Sequence, residues 1–312
     1  MGLTFVSEPV RVSTPATSAN LGPGFDTLGL ALALYDDLTA WVSGAGFTVR
    51  VSGEGAGKLP TDETHLVVRS MLAAFDELGG RPPGVVVECV NRIPQARGLG
   101  SSSAAIVGGI QLARALVEGP LMDDAAALDL AARLEGHPDN VAPCLFGGFT
   151  IAWSTAAGAR AVRLAAADGV HPTVFIPNER GLTSTARAAL PAGVPHADAA
   201  FNTGRSALLV HALTQAPDLL FPATEDRLHQ GYRAEAMPGT ASLVAGLRSI
   251  GVAAVVSGAG PSVLALTEVP ADFHPGTEWR TERLGVDSTG ALVKGSMVGH
   301  AERGPVAAGR TS

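Results

Sequence analysis

Short apolar runs broken by turn formers dominate the first third of the chain and predict strands at residues 10–12, 28–34, 38–42, 47–51 and 85–90. Between the last two, Leu66, Val67, Met71, Ala74, Phe75 and Leu78 recur at three- and four-residue spacing and predict a helix over 65–78, ended by Gly79-Gly80. A small-residue helix is predicted over 102–117, with Ile106, Ile110 and Ala113 on one stripe, and another over 123–134. Residues 149–153 predict a strand that runs into the Ala/Gly-rich stretch 154–160, the best candidate for a domain boundary. The second half repeats the mixture, with strands at 173–176, 253–256 and 263–266 and helices at 184–190, 197–214 and 241–250. Strands and helices intermingled in this way, with hairpin-like spacing early on, favour an α+β fold over a doubly wound sheet. The expectation is two domains, 1–158 and 159–300, and a flexible tail over 301–312.

Length agrees, since 312 residues correspond to two domains of ordinary size, large enough to need no disulfide or metal to fold. With 46% hydrophobic and 16% charged residues the chain is not of the disordered class. A net charge of -7 argues against nucleic acid or an anionic membrane as the main partner, while a small anion can still bind locally. Neither lysine, Lys58 or Lys294, sits in a Gly-rich loop followed by Ser or Thr, which excludes a Walker-type loop. Cys89 and Cys144 are isolated in apolar surroundings and read as reduced core residues. The run Met1 to Phe5 shows no basic and then apolar segment, and no stretch reaches about 18 uninterrupted apolar residues, so a soluble cytoplasmic protein is expected.

The most informative stretch is Pro94-Gln95-Ala96-Arg97-Gly98-Leu99-Gly100-Ser101-Ser102-Ser103-Ala104. Gly98 and Gly100 permit positive φ and close backbone approach, and three serines then fall on the first turn of a helix whose N–H groups are unpaired. Such a turn suits phosphate oxygens, and its hydroxyls can help hold magnesium. The plainer alternative, a Gly-Ser turn that merely starts a helix, explains the density of the cluster less well. Glu135 closes a helix where the dipole disfavours a carboxylate, so a nearby cation would explain it; a solvated surface carboxylate is the alternative. His137 is read as a hydrogen-bonding or positioning residue, since none of the eight histidines forms a metal-ligand pair at helical spacing. In the loop Pro15-Ala16-Thr17-Ser18-Ala19-Asn20-Leu21-Gly22-Pro23-Gly24-Phe25-Asp26, Asn20 and Asp26 are candidates to fix an amide-like or ammonium group, although both are also ordinary turn formers. The loop Ser257-Gly258-Ala259-Gly260-Pro261-Ser262 is either a plain turn or a cover on the phosphate site.

Together these stretches resemble the GHMP kinase superfamily over most of the chain, and within it the homoserine kinase branch. The superfamily's ATP loop, Pro-x-x-x-Gly-Leu-Gly-Ser-Ser-x-Ala, is matched by Pro94 through Ala104, and its N-terminal and C-terminal motifs by the loops at 15–26 and 257–262. The 15–26 motif and Asp139-Asn140-Val141-Ala142-Pro143 are similar to that branch, as are the surroundings of Arg187 and Arg233.

The resemblance implies a two-domain GHMP kinase fold, with an N-terminal domain like the second domain of ribosomal protein S5 and a ferredoxin-like C-terminal domain. It implies ATP- and magnesium-dependent phosphorylation of the hydroxyl of L-homoserine to O-phospho-L-homoserine, in threonine biosynthesis, with a homodimer as the default assembly. Pro94, Arg97, Gly98, Leu99, Gly100, Ser101, Ser102, Ser103 and Ala104, with Gly258 and Gly260, would then serve the nucleotide, and Ser102 and Glu135 the magnesium. Asp26 would face the substrate ammonium, and Arg187 and Arg233, whose planar guanidinium groups match a carboxylate, its acid group, with Asn20, His137 and Asn140 completing the pocket. In mevalonate kinase-like relatives an Asp is the base; the corresponding position here is Asn140, which cannot take a proton. Asn140 is therefore expected to position the hydroxyl, with Asp139 as the fallback base and phosphate or water as the proton's other destinations. Two other readings stay open: a kinase for a different small alcohol such as mevalonate, whose lack of an ammonium group disfavours it beside Asp26, and a silent ligand sensor of the same fold, disfavoured by the presence of Glu135 and the serines.

Overall fold

The computed structural model describes residues 3–119, 122–181 and 183–294; the expected tail at 301–312 lies outside the described residues. Two sheets carry the chain. The first is built from β1 (Val10–Ala19), β2 (Leu28–Val42), β3 (Gly46–Gly53), β4 (Gly84–Asn91), β5 (Phe149–Thr155) and β6 (Gly158–Leu164), and a late strand, β11 (Leu292–Lys294), joins its edge. Along it the order is β11-β1-β2-β4-β3, with β5 also on β2 and β6 on β5. Its pairings are antiparallel except β3 with β4. That parallel pair needs a crossover, which α1 (Leu66–Leu78) supplies.

The helices α1, α2 (Ser101–Leu116), α3 (Asp124–Glu135) and α4 (Pro138–Phe146) pack together, with α2 and α4 also lying on the sheet. Phe75 and Met71 of α1, Ile106 and Ile110 of α2, and Leu30 and Leu32 of β2 meet in the core, each at most 1% exposed. Each fully buried side chain of this size contributes about 1.5–3 kcal/mol, so the apolar stripes hold these helices in place. The caps are local: Asp123 accepts from Ala126 N (2.8 Å) to start α3, and Gly79 and Gly136 take left-handed conformations to end α1 and α3.

The second sheet has the order β10-β7-β9-β8, from β7 (Thr173–Pro177), β8 (Ala254–Val256), β9 (Val263–Ala265) and β10 (Trp279–Arg283), all antiparallel. Its helices are α5 (Thr183–Ala188), α6 (His196–Thr214), the one-turn α7 (Leu220–Ala223) and α8 (Gln230–Arg233), and α9 (Pro238–Ser249).

Four local expectations change. Residues 28–34 and 38–42 form one continuous strand, β2, with a register shift opposite Pro15 and Ala16, where proline's missing N–H is tolerated. Residues 15–19, expected in a loop, belong to β1. The helix expected to end at 134 closes at Glu135, and a further helix absent from the expected elements, α4, begins at Pro138, which puts Asp139 and Asn140 on a helical first turn. The stretch 154–160, expected to divide domains, is the β5–β6 hairpin, so the first sheet continues past it and takes a further strand near the C-terminal end. Among the described residues no helix is long and apolar enough to cross a membrane.

Candidate active site

A cleft of about 430 Å³ opens where the loops following β1 and β4, the glycine loop at 257–262, α3, α4 and α5 converge, within the size range of small-molecule sites. On one side is the start of α2. Gly100 caps it in the left-handed conformation (φ 69°) and supplies no side chain to the first-turn amides, which leaves them for a ligand. A Cβ on Gly100 would lie 1.9 Å from Thr17 Oγ1, and one on Gly98 (φ 72°) 2.2 Å from Ser257 O, so both glycines are required by close approach as well as by conformation.

The start of this loop is pinned by Asp36, whose Oδ1 accepts from Arg92 N (2.6 Å) and Ile93 N (2.9 Å). Burial pushes the Asp36 carboxyl up to about 6, against the two N–H groups that favour its charge. The 257–262 loop forms a wedge. Ser257 Oγ donates to Gly98 O (2.6 Å), Gly258 N to Ala19 O (3.1 Å), and Ser262 N to Arg97 O (3.3 Å), which welds the phosphate-type loop to the end of β1.

At the end of α3, Glu135 Oε1 accepts from Ser102 Oγ (2.7 Å) and Ser103 Oγ (2.9 Å). A carboxylate with serine hydroxyl oxygens is the hard-oxygen set that magnesium takes when phosphate supplies the rest. No cluster of three or more His, Cys, Asp or Glu able to hold a metal by itself occurs among the described residues.

Across the cleft, His137 Nδ1 lies 2.6 Å from Asp139 Oδ1, and Asp139 is 2% exposed. Burial opposes a charge on His137, but the hydrogen bond and negative charge of Asp139, with Glu135 nearby, hold its pKa above the usual histidine value. Asn140 Oδ1 accepts from Thr17 Oγ1 (2.8 Å), which turns its N–H end into the free hydrogen-bonding group. Arg187 on α5 meets Asp26 through Nη1–Oδ2 (3.0 Å) and Nη2–Oδ1 (2.7 Å). Arg233, 1% exposed, and Arg187 approach the Phe25 ring at 5.4 and 5.7 Å.

Of the residues singled out from sequence, Asn20, Asp26, Glu135, His137, Asp139, Asn140, Arg187 and Arg233 all line the cleft. So do Arg97, Gly98, Leu99, Gly100, Ser101, Ser102, Ala104 and Gly258. Pro94, Ser103 and Gly260 do not: Ser103 is wholly buried behind Glu135, and Gly260 packs on Met237 and Val256. The Arg97 guanidinium bonds the carbonyls of Pro177, Gln95 and Asn178 (2.7–2.8 Å), tying the loop to the end of β7. Asn20 is likewise spent locally, donating to Gly258 O (2.8 Å) and accepting from Asp26 N (2.9 Å). Sequence reasoning passed over Thr17, Asp36 and His229; only Thr17 sat inside a motif already marked.

The family profile described as GHMP kinases N terminal domain matches residues 65–148. Homoserine kinase of Streptomyces coelicolor is 56% identical over 298 residues, covering 94% of this chain and 96% of that protein. The chain belongs to the homoserine kinase family. Homoserine kinase of Clavibacter michiganensis is 54% identical, over 91% of this chain and 94% of that one. Among solved structures, homoserine kinase from Cytophaga hutchinsonii superposes with a TM-score of 0.78 at 26% identity, covering 94% of this chain and 99% of that one. Mevalonate kinase of L. major has the same fold (TM-score 0.69, 14% identity, 92% and 98% covered). Members of the homoserine kinase family and this chain therefore share the GHMP kinase fold, as the loops at 15–26, 94–104 and 257–262 implied.

Proposed function

We propose that this protein transfers the γ-phosphoryl group of ATP to the hydroxyl of L-homoserine, giving O-phospho-L-homoserine. The observation that carries the reading is the placement of a carboxylate, Asp26, and two guanidinium groups, Arg187 and Arg233, in one cleft with the uncapped start of α2. That set is complementary to an amino acid beside a polyphosphate.

Phosphoryl transfer asks a protein mainly for positioning and charge stabilisation. The backbone of Gly98 through Ser103 holds the phosphates, and Ser102 with Glu135 would hold magnesium. Magnesium held by these residues would supply positive charge to offset that of the phosphates. Arg187 and Arg233 take the substrate carboxylate, Asp26 its ammonium, and Asn140 orients the hydroxyl through its amide N–H. The hydroxyl oxygen forms the new bond to phosphorus as the bond to the ADP oxygen breaks, and the proton leaves to phosphate or water. Asp139, buried and engaged with His137, serves to fix that histidine at the cleft wall.

The test is ADP release with ATP and magnesium, offering L-homoserine, L-serine, L-threonine and mevalonate separately, with Glu135→Ala as control. Turnover with homoserine, lost in the control, is expected. Turnover with mevalonate in its place overturns the roles given to Asp26, Arg187 and Arg233, and ATP binding without turnover overturns the kinase reading. Homodimeric assembly, the default of the family resemblance, is checked by sedimentation velocity.

A further inference from the structure

Arg233 ends α8 with its guanidinium out of solvent, where its orientation depends on the acceptors around it. Two are backbone oxygens, Ala186 O on Nε (3.1 Å) and Gly258 O on Nη1 (3.4 Å). The third is a side chain: His229 Nδ1 lies 3.0 Å from Nη1. On the far side of the same ring, Nε2 lies 2.7 Å from Gly22 O.

These two neighbours determine the state of the ring. A guanidinium only donates and a carbonyl only accepts, so His229 is neutral, with Nε2–H donating to Gly22 O and Nδ1 accepting from Arg233. Burial lowers the His229 pKa, and the Arg233 charge lowers it further while Asp226 opposes both, which agrees with the neutral form. Asp226 Oδ2 lies 3.7 Å from Nε2, beyond hydrogen-bond distance and 1.0 Å farther than Gly22 O, and the Asp226 carboxylate accepts from the backbone N–H groups of Leu228, His229 and Gln230 (2.8–3.1 Å), so Gly22 O is the partner of Nε2–H. The ring also packs on Phe25, with centroids 5.2 Å apart.

Gly22 and Phe25 belong to the loop that carries Asp26, whereas Arg233 comes from the second half of the chain. We infer that His229 is a positioning residue for the amino-acid substrate, a neutral imidazole that joins the Asp26 loop to Arg233 and so sets the separation of the ammonium-binding and carboxylate-binding groups. The inference rests on the reading of L-homoserine as substrate.

Steady-state kinetics with homoserine and ATP varied in turn test it on wild type and three variants. His229→Leu removes both bonds, His229→Asn keeps an acceptor at the Nδ1 position, and His229→Gln keeps a donor toward Gly22. The expected result is a KM for homoserine raised about 10- to 100-fold in His229→Leu, with the KM for ATP within about twofold of wild type, as for a lost bond to a charged group. His229→Asn is expected to recover most of the homoserine KM, and His229→Gln less. Should His229→Leu fail to fold, the contrast between the Asn and Gln variants still decides. An unchanged homoserine KM, an equal rise for both substrates, or no advantage of Asn over Gln overturns the inference while wild-type turnover stands. Absence of homoserine turnover in wild type overturns the substrate reading with it.

Discussion

Arg187 grips Asp26 through two parallel hydrogen bonds of 3.0 and 2.7 Å, so the groups assigned to opposite ends of the substrate are paired with each other in the free protein. Both side chains are more than a third exposed, so the pair is screened and can open at modest cost. A zwitterion repays the opening twice, giving Arg187 a carboxylate and Asp26 an ammonium. A hydroxy acid without the amine leaves Asp26 uncompensated. The Asp26→Asn variant is therefore expected to lose about 10- to 100-fold in kcat/KM for homoserine and to gain on 4-hydroxybutyrate, the same acid without its amine. Parallel assays of the two acceptors check this, and an equal loss on both would count against the exchange of partners.

Asp139 and Asn140 are neighbours on α4 with different partners, His137 for one and Thr17 for the other. If Asn140 orients the hydroxyl, Asn140→Asp is expected to reduce kcat tenfold or more by replacing an N–H donor with a charge. Asp139→Asn is expected to cost about tenfold and to lower the His137 pKa, followed by NMR titration. A loss of several orders of magnitude in kcat for Asp139→Asn alone would identify Asp139 as the base.

Gly100→Ala places a methyl group 1.9 Å from Thr17 Oγ1 at a left-handed position. Thr17 would have to leave Asn140, and the backbone would carry strain of about 1–3 kcal/mol. Weaker ATP binding by calorimetry and a lower unfolding midpoint are both expected. Ser101→Ala, on the same turn without that clash, is expected to leave stability within about 0.5 kcal/mol.

Asp36 gives a pH signature. Its carboxyl titrates at about 6 in the folded protein against 3.8 ordinarily, because burial favours the neutral acid. A raised carboxyl pKa means stability present below about pH 4 and lost as pH rises through 6, up to about 3 kcal/mol for a shift of this size. Asp36→Asn keeps the oxygen that accepts from Arg92 N and Ile93 N but does not titrate. Its stability relative to wild type is expected to rise between pH 4 and 6 and then level off, measured by urea unfolding. A flat difference over that range would contradict the burial argument.

The helices were legible where one apolar stripe meets the core, as in α1 and α2, because helical period and capping are local properties of the chain. The turn at 94–104 was legible for the same reason: the left-handed conformations of Gly98 and Gly100 and the start of α2 at Ser101 are properties of its own backbone. The β5–β6 hairpin was mistaken for a boundary because small residues mark a tight turn and a linker alike. Short elements such as α8 and β11 escaped because what stabilises them comes from distant segments. The roles of side chains divide along the same line. Residue type and spacing along the chain pointed to the fold class and the anion cradle, while the choice of Asp26, Arg187 and Arg233 together as substrate groups came from the family resemblance. Only the tertiary structure decided that Asn20 and Arg97 are spent on backbone groups, that Arg187 holds Asp26, and that His229 bridges Gly22 and Arg233, since the deciding contacts, from Arg97–Pro177 to Asn20–Gly258, join residues 80 to 238 positions apart and exist only once the chain has closed around them.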